Sequence, residues 1–304
     1  MKLLVCDPMD PEAVAAMRDA GIKVDVRDTI IPEELEKAIA DYEAIVVRSR
    51  TKVRAPLIDK ATRLRLIIRG GVGLDNIDAD YARSKGITVA NTPRANSNAV
   101  AELVIGLMFA LARRIPYADT TMKAGRWEKK TLEGSELAGK TLGVVGCGRI
   151  GCLVGHKAAA LGMEVLGCDV CITEDQAGIQ MMPLEDLLPR SDYVSLHVAL
   201  TPETRGMIGA PQFAMMKSGV YLINAARGGV VDEAALYDAL VSGKVAGAAL
   251  DVFSEEPPQS DALQRLIQLP QVIATPHIGA ATAEALARVG GEVAQIAIEF
   301  ARRG

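Results

Sequence analysis

The 304-residue sequence predicts an α/β protein of two doubly wound parallel-sheet domains, one inserted into the other. Three observations carry that prediction. Short Val, Ile and Leu runs alternate with Ala-rich amphipathic stretches, the pattern of strands buried on both faces between crossover helices. The runs fall into two series separated by a long apolar helix and a polar connector. A last helical stretch has no strand series after it to join. The length suits two domains of about 100 to 200 residues each.

The first series runs KLLVC (2–6), a helix near 11–20, KVDV (23–26), a helix near 32–40, AIVV (44–47), RLII (65–68) and ITVA (87–90). Its first strand is followed by Asp-Pro, with no glycine loop. A helical pattern then covers 97–114, and a polar stretch carrying Gly125, Trp127 and Gly134 reads as a connector. The second series has six strands: TLGVVG (141–146), MEVLGC (163–168), YVSLHV (193–198), VYLINA (220–225), VAGAALDV (245–252) and VIAT (272–275). Six strands with intervening helices complete a doubly wound sheet. The closing helix, 281–303, is expected to pack back on the first domain. The expected boundaries are therefore 1–93 with 282–304 for one domain and 94–281 for the other.

Composition removes several function classes. Thirty-four Lys and Arg against 38 Asp and Glu give a net charge of -4, which offers no basic field for nucleic acid. Aromatics are 4% of the chain, so base-stacking platforms are absent and the cores must be aliphatic. The longest apolar stretch, 103–112, is half of the roughly 20 residues that span a bilayer. The start, MKLLVCDPMD, reaches Asp7 before a secretory apolar region develops. Five cysteines, an odd number, do not suggest a disulfide framework. The expectation is a cytoplasmic protein with no membrane partner. Cys168 and Cys171 spell C-x-x-C without a second pair, so no metal is expected.

GVVGCGRIG (143–151) places Gly146, Gly148 and Gly151 as G-x-G-x-x-G between an apolar strand and an Ala-rich helix. The first glycine makes the turn, the second lets backbone approach a pyrophosphate, and the third lets helix sit on strand. Cys147 within the loop should leave the pyrophosphate contacts intact, because those contacts are backbone. Asp169 stands 18 residues past the last glycine, where a carboxylate meets the adenosine ribose hydroxyls. That selects NAD: a 2′-phosphate would face a like charge, and Val170 and Cys171 supply no arginine. Replacing Asp169 by Ala is expected to erode the preference. Cys147, Cys168 and Cys171 are expected to surround the adenosine side, where oxidation would hinder NAD; the preferred reading of them is small apolar fillers, since a sensor thiol needs a lowered pKa and exposure.

Three further segments follow strands of the same sheet: NAARGG (224–229), ALDVFSEEPP (249–258) and ATPHIGAAT (274–282). The Arg227 guanidinium suits a carboxylate, while Glu256 and His277 suit an acid/base pair. Oxidising a secondary alcohol needs a base for the hydroxyl proton as hydride leaves the same carbon, and a carboxylate beside the histidine fixes its tautomer.

With VVRSRTKV (46–53), RGGVGLDNID (69–78), NTPRANSNAVAEL (91–103), GRWEKK (125–130) and SLHVALTPETRGMI (195–208), these motifs make the chain resemble the D-2-hydroxyacid dehydrogenase family over nearly its whole length. The likeness is greatest to members that oxidise 3-phospho-D-glycerate. The resemblance implies a Rossmann NAD-binding domain inserted into a flavodoxin-like substrate domain, with Arg227, Glu256 and His277 catalytic. It implies Asp251 near the nicotinamide carboxamide, and Arg149, Ile150, Asp169, His197, Val198, Ala226 and Val72 around the cofactor. Arg48, Ser49, Arg69 and Asn96 are implied to border the substrate cleft, and Lys129 to add a cation, reaching in from a partner subunit.

A homodimer or tetramer built around the apolar helix is implied as well. Two departures stand out: Ala199 replaces the proline usual after His197 and Val198, which is expected to leave that loop less restrained, and no regulatory extension follows Gly304, so serine feedback is not expected. The expected reaction is NAD-dependent oxidation of 3-phospho-D-glycerate to 3-phosphohydroxypyruvate. Its alternatives are a glyoxylate or hydroxypyruvate reductase and, from another class, an NAD(H)-sensing corepressor.

Overall fold

The computed structural model describes residues 1–303 and separates into two compact units. One is Met1–Asn96 together with the chain from Ala280 onward; the other is Ser97–Gly279. The junctions lie at 96/97 and 279/280, against the expected 93/94 and 281/282, because the crossing helix begins at Ser97.

In the first unit, β1 (Lys2–Val5), β2 (Lys23–Val26), β3 (Ala44–Val47), β4 (Leu66–Arg69) and β5 (Thr88–Asn91) form one parallel sheet in the order β2-β1-β3-β4-β5. Successive strand residues face opposite sides, and both sides are apolar. Leu4, Ile45 and Ile67 face one core with Ile39 and Leu57. Leu3, Val5, Val46 and Ile68 face another with Met17, Val289 and Val293. The closing helix, Ala283–Arg302, therefore belongs to this unit, as the lack of later strands predicted. Thr282 caps it by accepting the Ala285 N–H at 3.0 Å. A Cβ on Gly290 would stand 2.9 Å from Ala13 Cβ, so glycine there permits close approach to the helix Pro11–Asp19.

The second unit holds β6 (Thr141–Val145), β7 (Glu164–Cys168), β8 (Gln180–Met181), β9 (Tyr193–Leu196), β10 (Val220–Asn224), β11 (Val245–Leu250) and β12 (Val272–Ala274). All are parallel, in the order β12-β11-β10-β9-β6-β7-β8, so the order reverses between β9 and β6. That reversal is the topological switch point, where such sheets bind ligands beyond the strand C-termini. Seven strands replace the six expected. β8 was missed because two residues, one of them Gln180, carry no apolar pattern.

The helix Ser97–Arg113 buries Ala101, Val104, Leu107, Met108 and Leu111 against one face of this sheet. The connector is also corrected. Arg114 adopts a left-handed conformation, and Ile115–Lys123 forms a second helix with proline in its first turn. Only Thr121 of that helix is buried, so no apolar stripe marks it in the sequence.

Candidate active site

The three glycines after β6 have separate reasons. Gly146 has φ +94°, and a Cβ there would lie 2.8 Å from the His197 carbonyl carbon. A Cβ on Gly151 would lie 2.0 Å from the Gly146 carbonyl oxygen. Protein packing thus demands both. Gly148, which caps the helix Arg149–Ala160, has no atom within 4 Å of an added Cβ. Its bareness serves nothing inside the protein and fits backbone left open to a dinucleotide phosphate. The first-turn amides behind it have no intrahelical carbonyl to meet, and they carry the positive end of the helix dipole. Arg149 is exposed there and Ile150 half-buried.

Asp169 follows β7 and accepts three backbone N–H groups: Cys147 on Oδ2 at 2.8 Å, and Cys171 at 2.8 Å and Ile172 at 3.2 Å on Oδ1. The Cys147 amide is therefore turned to Asp169. The Cys147 side chain is also not on the ligand side. It is fully buried in the core, and a Cβ on Gly167 would stand 2.7 Å from its Sγ. Burial pushes its thiol up to about 12, and burial with the Asp169 charge raises Cys152 and Cys168 too. Thiolates are disfavoured at all three, which fits small apolar fillers rather than redox sensors. Cys171 alone is exposed.

After β9, the His197 backbone closes over the Gly146 turn, and Val198 Cγ1 packs beside it. The His197 ring lies 2.8 Å through Nε2 from Ser195 Oγ. Burial lowers its pKa to about 4, so the imidazole is neutral, and its buried Nδ1 has no hydrogen-bond partner among the described residues. Ala199 does not leave its loop loose: Thr204 Oγ1 donates to the Ala199 carbonyl at 2.6 Å and receives the Thr201 N–H at 2.8 Å. His156 is exposed on its helix.

His277 follows β12 with φ 53°, a left-handed conformation uncommon outside glycine. Its Nδ1–H points at Glu256 Oε2, 2.8 Å away, which leaves Nε2 as the nitrogen that can take a proton. Burial disfavours the Glu256 anion. The hydrogen bond and charge of His277, the Phe253 N–H and the Arg227 charge outweigh that and hold its carboxyl below the ordinary value. An apolar recess of about 360 Å³ adjoins the pair, walled by Phe253, Pro257, Pro258, Ile267 and Pro276.

The His277 loop is held by Asp251, which is almost wholly buried after β11. Its Oδ1 accepts the Thr275 hydroxyl at 2.6 Å and the Ile278 N–H at 2.8 Å, and its Oδ2 accepts the Gly279 N–H at 2.8 Å. Arg227 follows β10 in a turn fixed by buried Asn224, whose side chain accepts the Ala226 N–H at 3.1 Å and donates to the Arg227 carbonyl at 3.0 Å. A Cβ on Gly228 would stand 1.8 Å from the Phe253 carbonyl oxygen, so glycine lets this turn lie against the Glu256 loop. Glu233 binds the same loop through the Ser254 N–H and hydroxyl. Sequence reasoning missed Asn224, Glu233 and the positioning role of Asp251. For Asn224 and Asp251 the available signal was a polar residue ending an apolar run; Glu233, first in the helix Glu233–Val241, carried none.

The edge of the five-stranded sheet gathers a second group. Arg48 and Ser49 follow β3, Arg69 ends β4, and Asn96 follows β5. Asp7, missed as a mere turn residue, holds the loop after β3 that carries Arg48 and Ser49. Its carboxylate accepts the Arg48 N–H at 2.5 Å, Arg50 Nε at 2.9 Å, and the Thr51 hydroxyl at 2.8 Å. Burial lowers the Arg48 pKa, and the Asp7 charge opposes that shift. The Arg69 guanidinium folds over Gly71, where a Cβ would collide with it. Val72 receives the Asn91 side-chain amide on its carbonyl at 2.5 Å, and buried Asn96 has an Oδ1 without a partner among the described residues. Lys129 is exposed in a short 3-10 helix of the other unit. Among the described residues, no cluster of three or more His, Cys, Asp or Glu could hold a metal, and no helix is long and apolar enough to cross a membrane.

Fold and site together define a dinucleotide-binding protein with an arginine and a histidine–carboxylate pair on the cofactor edge of its sheet. Residues 105–279 match the model of the D-isomer specific 2-hydroxyacid dehydrogenase NAD-binding domain. The chain is 47% identical, over 99% of its length and 58% of the relative's, to D-3-phosphoglycerate dehydrogenase of Archaeoglobus fulgidus. It is 46% identical, over 96% of its length and 95% of the relative's, to hydroxypyruvate reductase of Thermotoga maritima. In structure it resembles D-lactate dehydrogenase from Aquifex aeolicus complexed with NAD and lactic acid, with TM-score 0.86 and 33% identity over 99% of this chain and 96% of that one. The chain belongs to the D-2-hydroxyacid dehydrogenase family, and the cofactor of its NAD-binding domain is NAD. It spans a little over half the length of the phosphoglycerate dehydrogenases it matches.

Proposed function

We propose that this chain oxidises D-2-hydroxy acids with NAD, and that its substrate is 3-phospho-D-glycerate, converted to 3-phosphohydroxypyruvate at the entry to serine synthesis. The observation that carries the chemistry is the 2.8 Å contact between His277 Nδ1 and Glu256 Oε2 on the edge that bears the dinucleotide loop. Bound NAD supplies the hydride acceptor. His277 Nε2 takes the hydroxyl proton, while the Glu256 carboxylate fixes the tautomer and stabilises the imidazolium that results. Arg227 grips the substrate carboxylate with its planar fork and orients the carbon that loses hydride. The loop from Gly146 to Gly151, with Asp169, His197, Val198 and Ala226, holds the cofactor. Val72 and Asp251 serve its nicotinamide end, the latter through the loop it positions.

The phosphate is assigned to Arg48 and Arg69, with Ser49 and Asn96 beside it; Lys129 is the cation that the family resemblance would bring from a partner subunit. Support comes from the placement of both arginines on one sheet edge and from the identity to phosphoglycerate dehydrogenases. A second reading, reduction of hydroxypyruvate or glyoxylate, is supported by the Thermotoga relative, matched over nearly its whole length. The assembly proposed is a homodimer, or a tetramer of such dimers, with Phe109, Ile115, Met122 and Trp127 as exposed apolar side chains suited to the interface. The compartment proposed is the cytoplasm, which suits five free cysteines.

Steady-state turnover with 3-phosphoglycerate, D-glycerate, D-lactate, hydroxypyruvate and glyoxylate tests the reading. The highest kcat/KM is expected for 3-phosphoglycerate. A higher value for hydroxypyruvate would move the assignment to the reductase, and no turnover of any would favour the cofactor-sensing class.

A further inference from the structure

A carboxylate has about four lone-pair sites for hydrogen-bond donors. In Asp169, three are taken by the protein's own backbone. Oδ1 closes a turn of the β7 loop through Cys171 and Ile172, and Oδ2 reaches across to the Cys147 N–H in the glycine loop after β6. The two loops are joined again where Gly146 N–H donates to the Cys168 carbonyl at 2.8 Å. One acceptor site remains, on Oδ2. A ribose hydroxyl can donate to it; a 2′-phosphate brings no donor and a like charge. Val170, 97% exposed, and Cys171 offer that phosphate no cation.

We propose that Asp169 is a clamp that sets the glycine loop in its phosphate-binding shape before the cofactor arrives, so that loop order and cofactor choice rest on the same carboxylate. Charge alone would let neutralisation of Asp169 convert the protein to NADP. The clamp forbids that conversion, because its removal frees the Cys147, Cys171 and Ile172 amides and disorders the loop that both dinucleotides need. A swap of cofactor then requires a residue that keeps the amide contacts as well as a new cation. This rests on the reading of the β6 edge as the dinucleotide site.

The test measures amide hydrogen exchange at Cys147, Cys171 and Ile172 in the protein without cofactor, and NAD and NADP binding by calorimetry, for the parent, Asp169→Ala, Asp169→Asn and Asp169→Glu. Charge-assisted hydrogen bonds to backbone amides predict about tenfold faster exchange at Cys147 in Asp169→Ala, with NAD weakened by about 10- to 100-fold. NADP should gain no more than about threefold. Asp169→Glu keeps the charge but its longer arm misplaces the oxygens, so it should also exchange faster and bind NAD less well. Asp169→Asn, with one acceptor oxygen, should fall between parent and Asp169→Ala.

Unchanged exchange in both Asp169→Ala and Asp169→Glu, with NADP rising in Asp169→Ala to the parent's NAD affinity, would overturn the clamp. A parent protein that binds neither dinucleotide would overturn the site reading on which the clamp's role in cofactor choice rests.

Discussion

Asp7, beyond β1 of the five-stranded sheet, and Asp251, beyond β11 of the seven-stranded one, are both almost wholly buried, and each holds a loop that follows a different strand. Their partners differ. Asp7 accepts from backbone, a hydroxyl and the Arg50 guanidinium, which in turn binds the carbonyls of Cys6 and Asp28. Asp251 accepts only neutral donors, from Thr275, Ile278 and Gly279. A buried carboxylate must be matched by donors, and a neutral set suffices when three converge. In the proposed function the same device serves two chemistries: at Asp7 it would fix a loop that presents cations to the phosphate, and at Asp251 it would fix His277 without setting a cation of its own against the imidazole that takes the proton.

The comparison breaks most visibly at the proton acceptor. His277→Asn should lower kcat by about two to four decades, the usual worth of a general base, while calorimetry finds NAD affinity little changed. Retention of full kcat would remove His277 from the chemistry.

Next comes the clamp on its loop. Asp251→Ala leaves two amides and a hydroxyl without their acceptor, so denaturant unfolding should show a loss of about 2 to 4 kcal/mol, with kcat reduced as well. Asp7→Asn keeps an acceptor but loses the Arg50 ion pair. It should cost about 1 to 2 kcal/mol and act mainly on KM for the phosphorylated acid. If Asp7→Asn lowered kcat at saturating substrate as strongly as Asp251→Ala, the division of labour between the two edges would fail.

The smallest effect concerns pH. The Glu256 carboxyl is held below its ordinary value, so its contribution to stability is present above the unfolded carboxylate range and is lost as pH falls through the depressed folded value. The stability difference between the parent and Glu256→Gln should therefore be flat above about pH 5 and shrink below about pH 4. In the same variant the imidazolium loses its partner charge, so the working range of kcat should move to lower pH. A difference that grew on acidification would contradict the Glu256–His277 pair.

Strands of four or more residues buried on both faces were legible because Val, Ile and Leu fill both sides of such a sheet. The two-residue β8 and the helix Ile115–Lys123, with one buried residue, carry no such pattern. The glycine loop, Asp169 and the Arg227, Glu256 and His277 segments were readable because each stands at the end of an apolar run. Asp7 and Asn224 stand there as well. What hid Asp7 is distance, since the backbone and side chains it holds are 41 to 44 residues away. The direction of Cys147 was hidden for another reason: loop position fixes where a backbone runs, and packing decides which way its side chain turns.

The proposed separation of phosphate recognition on one sheet edge from proton transfer on the other is tested most directly by kcat/KM for 3-phosphoglycerate and D-glycerate in the parent, Arg48→Ala and Arg69→Ala. Removing one member of a partly buried charge pair should weaken the phosphorylated substrate by about 2 kcal/mol or more, with NAD affinity intact and D-glycerate, already much the poorer substrate, losing far less. Equal kcat/KM for the two acids in the parent, or equal losses for both in the variants, would contradict it.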